Sequence, residues 1–227
     1  MKDVMTFLNG VLHNNNRPWF QENKDLYLKA QNRINNMTVE LIDGISKFDS
    51  SIRNLSVSDC TYRIYRDIRF SPDKRPYKTH MGAFICPKGK KSGYSGYYFH
   101  ISTGDIGYPG AHMLATGDYC HSPEALQIIR EDIAYGDGDF THTLQQTAEG
   151  FTLDTDGALK RNPKGFPVDT PYAEYIRLKN FCICKELDSH FFEIEEANLA
   201  QRVATLFKTT KPFLDYINRA IAFSKGE

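Results

Sequence analysis

The chain has no surplus charge, no long apolar run and no ordered cysteine framework, and each absence removes a class of function. Lys+Arg and Asp+Glu both number 28 in 227 residues. No global field therefore draws the protein to nucleic acid or to a membrane surface, and any electrostatic argument has to be local. No window approaches the roughly 18 consecutive apolar residues that a membrane-spanning helix needs. The first residues lack the basic start, apolar stretch and small-residue cleavage site of a secretory leader. The five cysteines, Cys60, Cys86, Cys120, Cys182 and Cys184, are scattered and odd in number, which points to a reducing, cytoplasmic compartment. Also missing are a GxSxG elbow, a P-loop, a GxGxxG before a helix, a CxxC or HxxxH pair, internal repeats and low-complexity tracts. Cys182 and Cys184 share a strand face without the second ligand pair of a zinc site, so no metal is assigned and any cofactor is left open.

What remains describes a single domain over 1–227, divided into three parts. The first, about 1–50, is helical: Phe7, Leu8, Val11 and Leu12 recur at helical spacing. A second helix, opened by Pro18, runs from Trp19 to about Phe48, with Trp19 anchoring it against the sheet. The second part, about 60–103, changes to a period of two. Strands are predicted near Tyr62–Phe70, Thr79–Cys86 and Gly96–Ser102, and their short connections allow only antiparallel pairing. The stretch Thr103–Gly117 holds four glycines and no period, and reads as a loop long enough to cover a site. The third part, about 120–227, is mixed and helical. Ser122 caps a helix through Tyr135, another helical stretch falls near 141–149, FCICKEL (181–187) is a strand, and 195–223 is a helical segment that Pro212 kinks or breaks. The fold class is α+β: a central, mostly antiparallel sheet with N- and C-terminal helices packed on it.

The most improbable segment is Tyr62–Tyr77, YRIYRDIRFSPDKRPY, with five cations, two aspartates, four aromatics and two prolines. From Cys60 to Lys91 nine cations stand against two aspartates, while the whole chain is neutral. With Arg63, Tyr65, Asp67 and Arg69 on one strand face, Asp67 can hold a guanidinium fork in place, and an oriented arginine clamps phosphate or carboxylate. Arg63, Arg66, Arg69, Lys74 and Lys78 are the anion-binding candidates, with Asp67 orienting them and Asp73 capping the SPDK turn. The same groups would equally serve as a charge network tying the turn to the sheet. A binding site leaves positive charge facing an open cleft, whereas a strut leaves each guanidinium paired. Tyr77, beside lysines, and His100, on the strand face opposite Tyr97, Phe99 and Ile101, are the candidates for proton transfer. A second basic turn, LKRNPKGF (159–166), is predicted to place Arg161 against Arg66 as the far wall of one cleft.

RIYRDIRFSPDKRPYKTH, together with NNNRPWF upstream and LKRNPKGF downstream, resembles the uncharacterised family catalogued as domain of unknown function 2461, found in bacteria and fungi. The resemblance covers nearly the whole chain and implies kinship without an established activity. Three functions are therefore expected to compete. The first is a site for a phosphorylated or carboxylated small molecule, with or without catalysis. The second is a nucleic-acid-binding module using the aromatic-interleaved basic segment. The third is an interaction domain without chemistry.

Overall fold

The computed structural model describes residues 1–103, 112–188, 191 and 198–227. Helices α1 (Lys2–His13), α2 (Arg17–Glu22) and α3 (Lys24–Ser46) come first. Val4, Phe7, Leu8 and Val11 form the buried stripe of α1. Asn16 starts α2 by accepting the Trp19 N–H, 3.0 Å away, and Pro18 occupies the first turn, where a missing N–H costs nothing. The helix expected from Trp19 to Phe48 is interrupted at Asn23, whose backbone N–H and side-chain amide both donate to the Trp19 carbonyl. Trp19 is placed against α1 rather than the sheet. It lies on Gly10, where a Cβ would come within 2.4 Å of the indole, and beside Phe7.

Strands β1 (His80–Ile85), β2 (Gly96–Ser102), β3 (His112–Asp118), β4 (Thr152–Leu153) and β5 (Phe181–Leu187) form a sheet of order β1-β2-β3-β5-β4, antiparallel at every described pairing. The α+β reading holds, with two corrections. The glycine-rich stretch becomes β3 from His112 onward, and its 104–111 portion lies outside the described residues. No alternation betrays β3 because His112–Gly117 are all buried, and Met113, Leu114 and Ala115 carry little strand preference. At its end Gly117 has φ +126° and lies so close to β5 that a Cβ would meet the Phe181 carbonyl oxygen at 2.1 Å.

The second correction is Tyr62–Phe70, which is extended but not a regular strand, joined by isolated bridges at Thr61–Ala83 and Tyr65–Tyr77. Its would-be partner contains Pro72 and Pro76, which cannot donate. The ladder shrinks to two bonds, Arg66 N–H to the Pro76 carbonyl and Lys78 N–H to the Ile64 carbonyl, each 2.9 Å.

Helices α4 (Val57–Cys60), α5 (Pro123–Tyr135), α6 (Asp139–Gln145) and α7 (Ala173–Ile176) precede the long α8 (Leu199–Ser224). Ser122 caps α5 by accepting the Ala125 N–H, with Pro123 at the first position, as its sequence specifies. Pro212 does not break α8. The Thr209 and Thr210 hydroxyls donate to the Leu206 and Phe207 carbonyls just upstream, and buried Thr210 and Phe213 flank the proline on the packed face. One apolar cluster joins α1, α3 and the first half of α8 to Ala83, Ile85, Tyr97 and Phe99 of the sheet. A second joins α5, α6 and α7 to Phe181 and Ile183 of β5 and to Phe213, Ile217 and Ile221 of α8. A hydroxyl pair, Thr116 with Thr210 at 2.8 Å, ties β3 to α8 between them.

Candidate functional site

Register divides the sheet into two faces. Ile85, Tyr97, Thr116 and Ile183 align in one row toward the helices, and Phe84, Tyr98, Ala115 and Cys184 align in the neighbouring row on the opposite face. His80, Gly82 and His100 extend that second face. It carries a concavity of about 260 Å³ lined by Tyr62, Lys78, His80, Phe84, Tyr98, Ala115, Gly117, Asp118, Tyr119 and Cys182. A smaller hollow of about 20 Å³ adjoins it and adds Arg63, Ile64, Met81 and Gly82 to the wall. Four aromatic rings stand over a β-sheet floor there, with a few polar groups converging.

The signature segment supplies one rim of this cavity, and a clamp from the N-terminal helices holds it there. The Asn15 amide donates to the Tyr77 carbonyl and accepts the Tyr77 N–H, each at 3.0 Å. Tyr77 itself is only 2% exposed and stacks on Phe20 with ring centres 4.2 Å apart. Its hydroxyl is held above the ordinary tyrosine value by burial and by Tyr65, so the structure makes Tyr77 an anchor. Lys78, next along the chain, turns the other way into the cavity wall, with Nζ 5.4 Å from the Tyr62 ring centre. Burial and then the neighbouring Arg63 lower its pKa. Among the described residues neither Lys78 nor Arg63 forms an ion pair with a carboxylate.

The other arginines of the signature are differently engaged. Arg66 reaches Asp73 at 2.6 Å and the Arg75 carbonyl at 3.2 Å, and Arg75 forks onto the same carboxylate. Asp73 also accepts the Arg75 N–H, so the capping role read from the sequence is joined to an ion-pair network. Arg75 and Arg66 hold its carboxyl far below the usual range. Arg69 forks onto Asp67 at 3.0 and 2.7 Å, and this pair stands in solvent with Arg69 75% exposed. Lys74 donates to the Ile68 carbonyl. These groups brace the turn, and none of them lines the cavity.

His100 is buried beneath the site, its ring 5.6 Å from His80 and 5.4 Å from Tyr98. His80, not His100, reaches the cavity wall. Burial, followed by Lys78 and Arg66, pushes its pKa down to about 4, so it presents a neutral imidazole at neutral pH. The cleft expected between Arg66 and Arg161 is not the one found: neither residue lines the cavity. The Arg161 loop folds against α5 and α7, with Phe166 in the second apolar cluster and Asn162 accepting from Arg177 at 2.8 Å, and the loop contributes nothing to the cavity lining. His112, His121 and Asp118 are occupied by backbone: they accept from Ser102 N–H, from Phe181 N–H, and from the N–H groups of Tyr119 and Cys120, respectively. Among the described residues, no group of three or more His, Cys, Asp and Glu side chains is arranged to hold a metal ion, and no helix is long and apolar enough to cross a membrane.

Sequence reasoning missed His80, Phe84, Asp118, Tyr119 and Cys182 as one group. The usable signal was alternation in β1 and β2, which puts His80 and Phe84 on the face of Tyr98 and His100 once the register is known. Asp118, Tyr119 and Cys182 depend on β3, which the sequence concealed.

No curated protein and no solved structure matches the chain. Residues 3–216 match the family described as "Conserved hypothetical protein (DUF2461)". By that match, spanning nearly its whole length, the protein belongs to the DUF2461 family.

Proposed function

We propose that the protein binds a small molecule bearing a phosphate or carboxylate group and a flat or apolar body, seated on the outer sheet face. The observation that carries this reading is the pair Lys78 and Arg63, adjacent cations of which neither stands within ion-pair distance of a carboxylate among the described residues, at the edge of an aromatic-walled cavity. Burial and then Arg63 lower the pKa of Lys78, and a bound anion would relieve the repulsion between the two cations. In this reading Lys78 and Arg63 hold the anion, Tyr62, Phe84, Tyr98 and Tyr119 pack its body, and His80 offers a neutral hydrogen-bonding nitrogen. Arg66, Asp67, Arg69 and Lys74 act one step back, by stiffening the turn from which Lys78 projects. The volume sits near the small end of ligand sites, which run from about 300 to 1,000 Å³.

Titration with phenyl phosphate, inorganic phosphate and benzoate, followed by calorimetry, tests the reading. Phenyl phosphate should bind most tightly. Lys78→Ala and Arg63→Ala should each weaken it by roughly 10–100-fold, the worth of about 1.5–3 kcal/mol for a charge-assisted hydrogen bond. Arg69→Ala should leave it unchanged. Equal binding by wild type and Lys78→Ala would remove the proposal.

A second reading rests on Phe70, 93% exposed at the tip of the braced turn with the Arg69 guanidinium 5.8 Å from its ring centre. An exposed ring beside a cation suits base stacking. Salt-sensitive binding of a single-stranded oligonucleotide that Phe70→Ala abolishes and Lys78→Ala spares would favour it.

A further inference from the structure

Lys78 lines both hollows of the outer sheet face, and among the described residues it is the only lysine that does. Its amine is engaged differently from the others. Lys74, Lys185 and Lys225 donate to backbone carbonyls at 3.0, 2.6 and 2.6 Å, and Lys211 is paired with Asp215. Lys90, whose Nζ stands 5.8 Å from the Tyr62 ring centre against 5.4 Å for Lys78, donates to the Ser58 carbonyl. Among the described residues the Lys78 ammonium donates to no carbonyl and to no carboxylate. Its backbone is nonetheless fixed: the Lys78 N–H donates to the Ile64 carbonyl at 2.9 Å, and Tyr77 before it is held by Asn15 and stacked on Phe20. A half-buried amine thus projects from a rigid anchor into the cavity wall.

The surroundings separate the roles open to such an amine. A structural strut requires a bonded acceptor, and none is present among the described residues. Attraction of an anion by charge alone is met as well by an ammonium in open water. Setting the group among rings and next to a second cation works against the charged form and favours the free amine. A nucleophilic lysine needs that combination, an apolar wall or a neighbouring cation, with room for a carbonyl carbon in front of it. Tyr62, Phe84 and Tyr98 form the wall, Arg63 is the neighbouring cation, and the cavity of about 260 Å³ is the room. The one carboxylate in the lining, Asp118, is turned onto the Tyr119 and Cys120 N–H groups at 2.6 and 3.2 Å. His80 lies two residues along the chain from Lys78 and lines the same two hollows, so a proton carrier stands on the wall from which the amine projects.

We propose that the molecule seated on this face carries an aldehyde or ketone group beside its phosphate or carboxylate, and that Lys78 condenses with that carbonyl to form an imine while Arg63 holds the anion. The inference rests on the anion-binding reading and gives it a substrate class. In the first step the Nζ lone pair bonds to the carbonyl carbon, the carbonyl π pair moves to oxygen, and one proton passes from nitrogen to that oxygen. In the second the remaining N–H proton goes to the carbinol oxygen, the C–O bond breaks, and one water leaves as the C=N bond forms. His80 relays both protons, accepting each from nitrogen and returning it to oxygen. No net oxidation or reduction takes place. An imine that is protonated puts its charge beside the anion held on Arg63, which offsets it.

The test treats the full-length chain with 4-carboxybenzaldehyde and sodium cyanoborohydride, which reduces an imine to a stable secondary amine, and reads the product by intact mass and peptide mapping. The first equivalent should be captured at Lys78, and phenyl phosphate should compete with it. Benzaldehyde, with no anion for Arg63, should need about 10–100-fold more for half capture, the worth of a charge-assisted hydrogen bond. Lys78→Arg, shown to be folded by circular dichroism, should lose that first equivalent. Lys90→Arg, at the other lysine beside the Tyr62 ring, should keep it. Mapping of the wild type identifies the modified residue even where Lys78→Arg does not fold. Capture scattered over exposed lysines without preference for Lys78, or a first equivalent retained by folded Lys78→Arg, would overturn the proposal. If calorimetry still shows phenyl phosphate bound to the wild type, that result removes the imine and leaves the anion site standing; if it does not, both fall. Equal capture of the two aldehydes would overturn the claim that the carbonyl compound is anionic.

Discussion

Replacing Asn15 by alanine isolates the contact that joins the N-terminal helices to the signature segment. The wild-type amide satisfies both backbone groups of Tyr77, at 3.0 Å each, and Tyr77 is buried. Each neutral hydrogen bond contributes about 1 kcal/mol net, and a backbone group left without a partner costs about 1–3 kcal/mol. Asn15→Ala should therefore destabilise by about 2 kcal/mol where water can enter and nearer 4 kcal/mol where it cannot. For a chain of this size the lower figure lowers Tm by about 4–8 °C. Urea unfolding followed by the emission of Trp19, the single tryptophan and a neighbour of Asn15 in sequence, reads the change directly. The denaturant slope should not move. Asn15→Asp sharpens the test, since it keeps the acceptor for the Tyr77 N–H but faces a charged oxygen toward the Tyr77 carbonyl. Its carboxyl pKa is then raised by folding, so the variant should recover stability as pH falls through that value and the acid regains a donor. Asn14→Ala, at an exposed position bonded within its own helix turn, is the control. If Asn15→Ala and Asn15→Asp both unfold within about 0.5 kcal/mol of wild type, the clamp does not hold the segment and the account of how Lys78 is positioned falls with it.

Two further outcomes follow from the packing. His80 is neutral in the folded chain with a pKa of about 4, against about 6.5 when unfolded, so the unfolded state binds more protons between those values. Stability should be flat above about pH 6.5 and fall by up to about 3 kcal/mol by pH 4. His80→Gln should flatten the slope in urea midpoints measured across that window, leaving the smaller contributions of His112 and His121, whose pKa values burial also lowers. Gly10→Ala should destabilise by about 1–3 kcal/mol, because its Cβ would fall 2.4 Å from the Trp19 ring, and a compensating shift in tryptophan emission should accompany it. Unchanged stability with unchanged emission would mean the helices slide past one another freely.

The fold was legible wherever local chemistry agreed with tertiary packing. Ser122 and Pro123 announced α5, and the alternation of Tyr97, Phe99 and Ile101 announced β2 with its correct inward face. β3 was hidden because a strand buried on both sides has no alternation to read. The break that Pro212 allowed does not occur, because propensity weighs less than the apolar stripe of a 26-residue helix gripped on both sides of the proline. At the site, charge was legible but pairing was not. Among the described residues, one segment places Arg63 and Lys78 outside ion-pair distance of a carboxylate and Arg66, Arg69 and Arg75 within it, a division fixed by where Asp67 and Asp73 fall after the turn closes. The sequence listed the cations; only the coordinates sorted them.

Helix α8 supplies Leu199, Val203 and Phe207 to one apolar cluster and Phe213, Ile217 and Ile221 to the other. It follows every other described element in the chain. During synthesis, then, neither half can finish closing until this last rod has left the ribosome, and two unfinished greasy surfaces must wait side by side in the nascent polypeptide. Until α8 docks, both surfaces stay open to the wrong partners.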